Sequence, residues 1–225
     1  MTTLVSALYT EGPTDEKFLP IVIQRTIQQI LIERGRMTVD ILEPILLRRL
    51  VDHKKYGTQA ERILRAAQLA AGYHTLIIHA DADHASSQRA LNERIWPGLA
   101  LVQQSRDRVC GQLLPLIPIR MTEAWMLADP AALQDVIGTN VLPQALGLPE
   151  RAEQVESNPN PKQTLDQAIQ NARAHQSRRR RRLQPGSLYE PLARQISLER
   201  LSRVPAYQQF VGEMTNTLIA LHLAN

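Results

Sequence analysis

The stretch YHTLIIHADAD, residues 73–83, decides the predicted fold. Residues 73–80 form an apolar run, which predicts a buried strand of the kind found in parallel sheets. The run leads directly into Asp81 and Asp83. In open α/β sheets, ligands bind outside the carboxyl ends of the strands. We therefore expect these two carboxylates to lie at the functional edge of a sheet.

Other short apolar runs alternate with helical patterns along the first 130 residues. Strands are predicted over residues 3–9, 38–42 with an extension at 45–47, and 113–119, and helices follow near 15–34 and 58–71. Pro115 and Pro118 favour an edge position for the last strand. This alternation predicts an α/β fold, with a mainly parallel sheet flanked by helices.

The strand signal fades after residue 130, where prolines and two helical patterns take over, at 162–174 and 205–223. We therefore expect an α/β core over residues 1–130. Residues 131–225 are expected to form a mostly helical carboxyl-terminal extension packed on that core.

Composition points to a cytoplasmic protein. Cys110 is the only cysteine among 225 residues, so an internal disulfide is excluded. The amino terminus has no basic segment before its apolar run, which argues against a signal peptide. Apolar windows fall short of the roughly 18 residues that a membrane span needs, so no membrane partner is expected.

Basic residues concentrate in the carboxyl-terminal third, where residues 151–225 hold 11 Lys and Arg against 6 Asp and Glu. Such clusters either contact phosphate backbones or form solvated loops. The candidates for binding DNA or RNA are Lys54, Lys55, Lys162, Arg178, Arg179, Arg180, Arg181 and Arg182.

The pair Asp81 and Asp83 predicts a divalent-cation site. Residues two apart in an extended segment point to the same side, and two such carboxylates repel unless a cation lies between them. Mg²⁺ is bound by one or two carboxylates together with water and phosphate oxygens. The alternative is that both residues cap the following helix.

Three further acidic residues follow predicted strands. Glu11 projects from a Glu-Gly turn, where it suits an acid/base group or a metal ligand, or is a solvated turn residue. Glu123 is either a ligand at the same edge or a favourable charge at a helix amino terminus. Asp15 is expected to cap a helix, and His79 to point away from the acidic pair into helix packing.

These motifs resemble the Toprim superfamily, through the Glu11-Gly12 turn and the Asp81-x-Asp83 pair. The closer resemblance is to a Toprim-related family called domain of unknown function 4276. It extends to YTEGPTDEKFLP, IIHADAD, TEAWMLAD and NPNPK, at residues 9–20, 77–83, 122–129 and 158–162. It implies a Toprim-like core.

The resemblance also implies roles for the matched residues. Glu11 would be the catalytic acid/base, while Asp81, Asp83 and Glu123 would hold Mg²⁺ or Mn²⁺. The implied activity is phosphodiester cleavage of DNA or RNA, with an ATPase partner protein in phage defence. Many Toprim domains carry a third acid where this chain has Ala85, so one ligand is missing or comes from elsewhere.

Two other function classes fit parts of the pattern. An Asp-x-Asp pair after a strand also occurs in nucleotide-sugar transferases and in aspartyl phosphatases. Nucleotide-sugar transferases give Glu11 no role. Aspartyl phosphatases place the pair after the first strand, whereas here it lies at residues 81 and 83. The non-enzymatic alternative is a Toprim shell that docks an ATPase or nucleic acid without cutting, which Ala85 favours.

Overall fold

The computed structural model describes residues 2–174 and 185–225. Its strands are all parallel to their neighbours. β1 (Thr2–Leu4) pairs with β3 (Val39–Ile41), and a four-stranded sheet has the order β4-β2-β5-β6, formed by Ile45–Leu46, Ser6–Tyr9, Thr75–His79 and Leu113–Leu116 respectively. The predicted α/β class with a parallel sheet is therefore confirmed.

The predicted first strand is divided at Val5. Both backbone groups of Val5 bond to His74, since its amide donates to His74 Nδ1 over 3.1 Å and its carbonyl accepts from the His74 amide over 2.9 Å. As a result β1 and β2 pair with different neighbours. The edge position predicted for the proline-containing strand is confirmed, because β6 ends the sheet.

Helices connect the strands and make up the carboxyl-terminal region, as predicted. In chain order, α1 to α11 span Asp15–Arg34, Gln59–Leu69, Gln88–Ala90, Trp96–Gln104, Thr122–Met126, Pro130–Ile137, Pro143–Leu146, Pro161–Ala174, Tyr189–Gln195, Leu198–Leu201 and Pro205–Ala220. A π-helical turn, Leu91–Ile95, joins α3 to α4. Short 3₁₀ turns occur at Arg48–Leu50, Ala152–Ser157 and Pro185–Ser187.

Helices cover both faces of the sheet, because side chains alternate between the faces along each strand. Leu8 of β2 and Ile77 of β5 belong to one buried cluster, together with residues of α1 and the carboxyl-terminal helices. Their neighbours Ala7 and Ile78 belong to a second cluster with α2 and α4. The edge where the strands end is therefore bordered by helices of both layers.

The first cluster contains residues from both sides of position 130, such as Phe18 of α1 and Tyr207 of α11. Trp125 lies fully buried among them, with its ring centroid 5.2 Å from that of Tyr207. A domain boundary near residue 130 stays a prediction.

Within the described ranges, no helix has both the length and the apolar character required to cross a bilayer.

Asp129 ties α6 to α10 and provides a stability prediction. Its buried carboxylate accepts from the Ala132 amide at the start of α6 and, over 2.9 Å, from the Ser197 amide. Losing a cap costs about 0.5–2 kcal/mol and stranding a buried amide about 1–3 kcal/mol. We expect Asp129→Ala to lower the free energy of unfolding in urea by about 2–4 kcal/mol. Asp135→Ala, on the exposed side of α6, is the control; an equal loss there would contradict this role.

Candidate metal centre

Three acidic residues gather where three neighbouring parallel strands end. Glu11 follows β2, Asp81 follows β5, and Glu123 lies in α5 after β6. The amide of Thr122 donates to Asp81 Oδ1 over 3.1 Å, which joins the segment after β6 to the segment after β5. Each of these residues was a candidate ligand or acid/base group in the sequence. The parallel topology places all three at one edge of the sheet.

The structure adds Asp15 and His79 to this edge. One ligand atom each from Asp15, His79 and Asp81 lie within 4.8 Å of one another, so this buried group could hold a metal ion. Asp15 is the first residue of α1, and its Oδ2 accepts from the Gly12 amide over 3.1 Å. A Cβ at Gly12 would lie only 2.8 Å from that oxygen, so a larger residue at this turn would displace the Asp15 carboxylate.

His79 is fully buried between the two aspartates. Its Nε2 lies 3.3 Å from Asp81 Oδ1, and its Nδ1 lies 3.8 Å from Asp15 Oδ2. Burial alone would lower the pKa of His79, but the hydrogen bond to Asp81 and the surrounding carboxylates raise it overall. The expectation that His79 points away from the acidic pair was therefore wrong.

Asp83 faces a different partner from Asp81. Its backbone is left-handed, with φ 58°, and its amide donates to the Arg120 carbonyl over 3.0 Å. The extended geometry that would direct both aspartates to one side ends at this residue. The Asp83 carboxylate instead pairs with Arg94, and it is not part of the metal-holding group formed with His79.

Arg94 is a cation at the centre of the acidic edge. Its Nη1 lies 3.1 Å from Glu11 Oε2 and donates to the Asp81 carbonyl over 2.9 Å, while its Nη2 donates to Asp83 Oδ2. The residue comes from the π-helical turn, a feature that often marks functional sites. Arg94 therefore pairs with two carboxylates, Glu11 and Asp83, that lie outside the buried group.

The pKa of Glu11 is raised in this setting. Burial is the main cause, and the charge of Asp81 adds to it, while Arg94 and His79 act in the opposite direction. A carboxyl group that keeps its proton closer to neutral pH is suited to acid/base chemistry.

Glu123 is buried and held by the carboxyl-terminal region. Its Oε1 accepts from the Tyr189 hydroxyl over 2.7 Å. Burial raises the pKa of Glu123, the bond from Tyr189 lowers it, and Asp81 and Asp15 raise it further. Glu123 therefore lies close enough to both aspartates for their charges to affect its titration.

The predicted nucleic-acid-binding residues are exposed lysines or lie outside the described residues. Lys54 and Lys55 are exposed in the turn before α2, and Lys162 is exposed in the first turn of α8. Residues 178–182, the arginine run, lie outside the described residues. Their role stays a prediction.

Residues that the sequence analysis missed have weak signals. Asp15 follows the Glu-Gly turn at a spacing equally typical of a helix cap. Arg94 lies 13 residues beyond Asp81, inside a helix whose π-turn has no sequence signature. Tyr189 approaches Glu123 only through the packing of the carboxyl-terminal helices. Only His79, next but one to Asp81, carried a usable signal.

Glu123→Gln should change the pH dependence of stability. Because folding raises the pKa of Glu123, its stabilising contribution is complete below the unfolded pKa of about 4.3 and is lost as pH rises through the folded pKa. Glutamine can still accept from Tyr189 without a buried charge. We expect unfolding in urea with EDTA to show a gain on the order of 1 kcal/mol at pH 7 and a shallower decline with pH. Exposed Glu153→Gln is the control; an unchanged slope for Glu123→Gln would contradict the assignment.

The comparisons with known proteins point to one family. A family model described as Domain of unknown function (DUF4276) matches residues 10–215. No curated protein and no solved structure matches the chain. The matched range includes every residue of the acidic edge, from Glu11 to Tyr189.

Proposed function

This chain belongs to the family described as Domain of unknown function (DUF4276), and we propose that it is a nuclease. The reaction is cleavage of phosphodiester bonds in DNA or RNA with Mg²⁺ or Mn²⁺, at a Toprim-like site. One observation carries the proposal: Glu11, Asp81 and Glu123 follow three adjacent parallel strands and meet beside the buried pair Asp15 and His79.

The donor set fits a divalent cation. Asp81 is the central ligand, because its side chain is partly open, at 25% exposure, beside the buried Asp15 carboxylate. Glu123 and Asp83 flank it, and a shift of Arg94 would free Asp83. A bound cation would polarise the scissile phosphate and stabilise the leaving oxygen.

Glu11 is the proposed acid/base group. Its raised pKa lets the carboxyl group hold a proton for the leaving oxygen. The hydrogen bond from Arg94 restrains the Glu11 carboxylate at the acidic edge. Arg94 also supplies a planar donor suited to phosphate oxygens. Lys54, Lys55, Lys162 and the arginine run Arg178–Arg182 would add affinity that does not depend on sequence.

The test of this proposal is cleavage by the full chain. Supercoiled plasmid, single-stranded DNA and single-stranded RNA are incubated with Mn²⁺, with Mg²⁺ or with EDTA. We expect nicking or cutting of at least one substrate with a metal, and none with EDTA. Failure to cut any of the three with either metal would contradict the nuclease proposal.

A second candidate function rests on Arg94. A guanidinium that pairs with Glu11 and Asp83 can replace a metal ion as the neutralising charge. The chain would then be a non-catalytic subunit that docks an ATPase or nucleic acid. Calorimetry with Mn²⁺ and Mg²⁺ in the presence of nucleic acid separates the two functions, because this candidate predicts no heat of metal binding.

A further inference from the structure

The two ring nitrogens of the buried His79 side chain have different surroundings. The residue is 0% exposed at the end of β5, and its Nδ1 has no hydrogen-bond partner among the residues that the structure describes. Asp15 Oδ2 lies 3.8 Å from this nitrogen, which is too far for a hydrogen bond. Leaving a buried polar nitrogen unpaired costs about 1–3 kcal/mol, so this orphaned atom requires an explanation.

The other nitrogen of the ring is already engaged. Nε2 lies 3.3 Å from Thr122 Oγ1 and 3.3 Å from Asp81 Oδ1, and that oxygen also accepts from the Thr122 amide. A proton on Nε2 can be donated to Thr122 Oγ1, which leaves a lone pair on Nδ1 and leaves the Asp81 carboxylate available to an ion. Metal-binding histidines commonly have this arrangement, in which the second ring nitrogen donates to a neighbouring oxygen and fixes the ring.

We propose that Asp15, His79 and Asp81 bind a first-row transition-metal dication, such as Mn²⁺ or Zn²⁺, with Nδ1 of His79 as a ligand. Metal–ligand bonds of about 2.0–2.2 Å let two ligands of one ion lie up to about 4 Å apart. The 3.8 Å between Nδ1 and Asp15 Oδ2 falls within this span.

The nitrogen ligand selects the class of metal. Mg²⁺ prefers oxygen ligands and retains its waters, whereas imidazole favours transition metals. The inference rests on the proposed function for what the ion does, but the binding itself requires no cleavage. It also accounts for the missing acid at Ala85, because Asp15 and His79 supply ligands from elsewhere.

Pulsed electron paramagnetic resonance of the Mn²⁺-loaded full chain tests the proposal directly. We expect modulation from a directly bound ¹⁴N nucleus, which changes when the protein is labelled with ¹⁵N-histidine. His79→Asn should abolish the modulation, and His84→Asn should retain it, since His84 is exposed and contacts Arg89. The ¹⁵N-labelling experiment uses the wild-type chain, so it remains a valid test even if His79→Asn fails to fold.

Calorimetry provides the second measurement. We expect Mn²⁺ and Zn²⁺ to bind at least about tenfold more tightly than Mg²⁺. Bound Mn²⁺ without nitrogen coupling would overturn the proposal and would indicate that His79 is an imidazolium paired with the aspartates. Nitrogen coupling without cleavage would refute the nuclease function and leave the metal site standing. Cleavage without nitrogen coupling would support the nuclease function and overturn the proposal that His79 binds the metal.

Discussion

Replacing Asp81 by asparagine is expected to lower the rate of Mn²⁺-dependent cleavage by about a thousandfold or more, while the fold is retained. Asp81 is the residue common to the buried metal-holding group and the strand edge. Losing its charge removes several kcal/mol of metal-dependent stabilisation, and each 1.36 kcal/mol corresponds to about tenfold in rate.

Asparagine makes this comparison specific to charge. Its carbonyl oxygen can still accept from the Thr122 amide, so the link between the segments after β5 and β6 is preserved. Asp40→Asn, an exposed aspartate in β3, is the matched control and should cleave like the wild type. Single-turnover rates at saturating Mn²⁺ measure the effect. A loss of less than about tenfold for Asp81→Asn would remove Asp81 from the catalytic group.

Replacing Arg94 by alanine is expected to move metal binding and cleavage in opposite directions. The guanidinium contacts Glu11, Asp83 and the Asp81 carbonyl, so it competes with a cation for the same negative charge. Its removal should tighten Mn²⁺ binding by roughly three- to tenfold, the scale of a partly exposed ion pair. Cleavage should fall about a hundredfold, because one donor to the phosphate is lost.

Arg89→Ala is the matched control for Arg94→Ala. Arg89 lies on the same helical segment, but it is exposed and pairs with Glu93 and His84. Calorimetry with Mn²⁺ and single-turnover cleavage are measured for both variants. Weaker Mn²⁺ binding in Arg94→Ala would contradict the competition. A wild-type chain that neither binds Mn²⁺ nor cleaves nucleic acid would favour the docking subunit.

Much of the fold follows from local patterns. The apolar run before Asp81 and the alternation of short strands with helices were sufficient to predict a parallel α/β sheet, because both reflect local periodicity. The division at Val5 was not predictable in this way. It depends on His74, 69 residues away along the chain, and residue patterns do not report such long-range contacts.

The acidic edge was predictable only in part. Glu11, Asp81 and Glu123 follow strands, and parallel topology then brings them together. The side-chain directions were not predictable, since the left-handed backbone at Asp83 turns it towards Arg94. Asp15 and His79 looked like a helix cap and a packing residue, because their shared environment exists only after β2, β5 and α1 are assembled.

The central claim is that the acidic edge binds a divalent cation, and a crystal structure of the full chain soaked in Mn²⁺ tests it most directly. Anomalous scattering locates manganese without assumptions about geometry. We predict a manganese peak within bonding distance of Asp15, His79 and Asp81, with Glu11 beside it. A soaked structure that shows no peak at this edge, with Arg94 still bridging Glu11 and Asp83, would contradict the account.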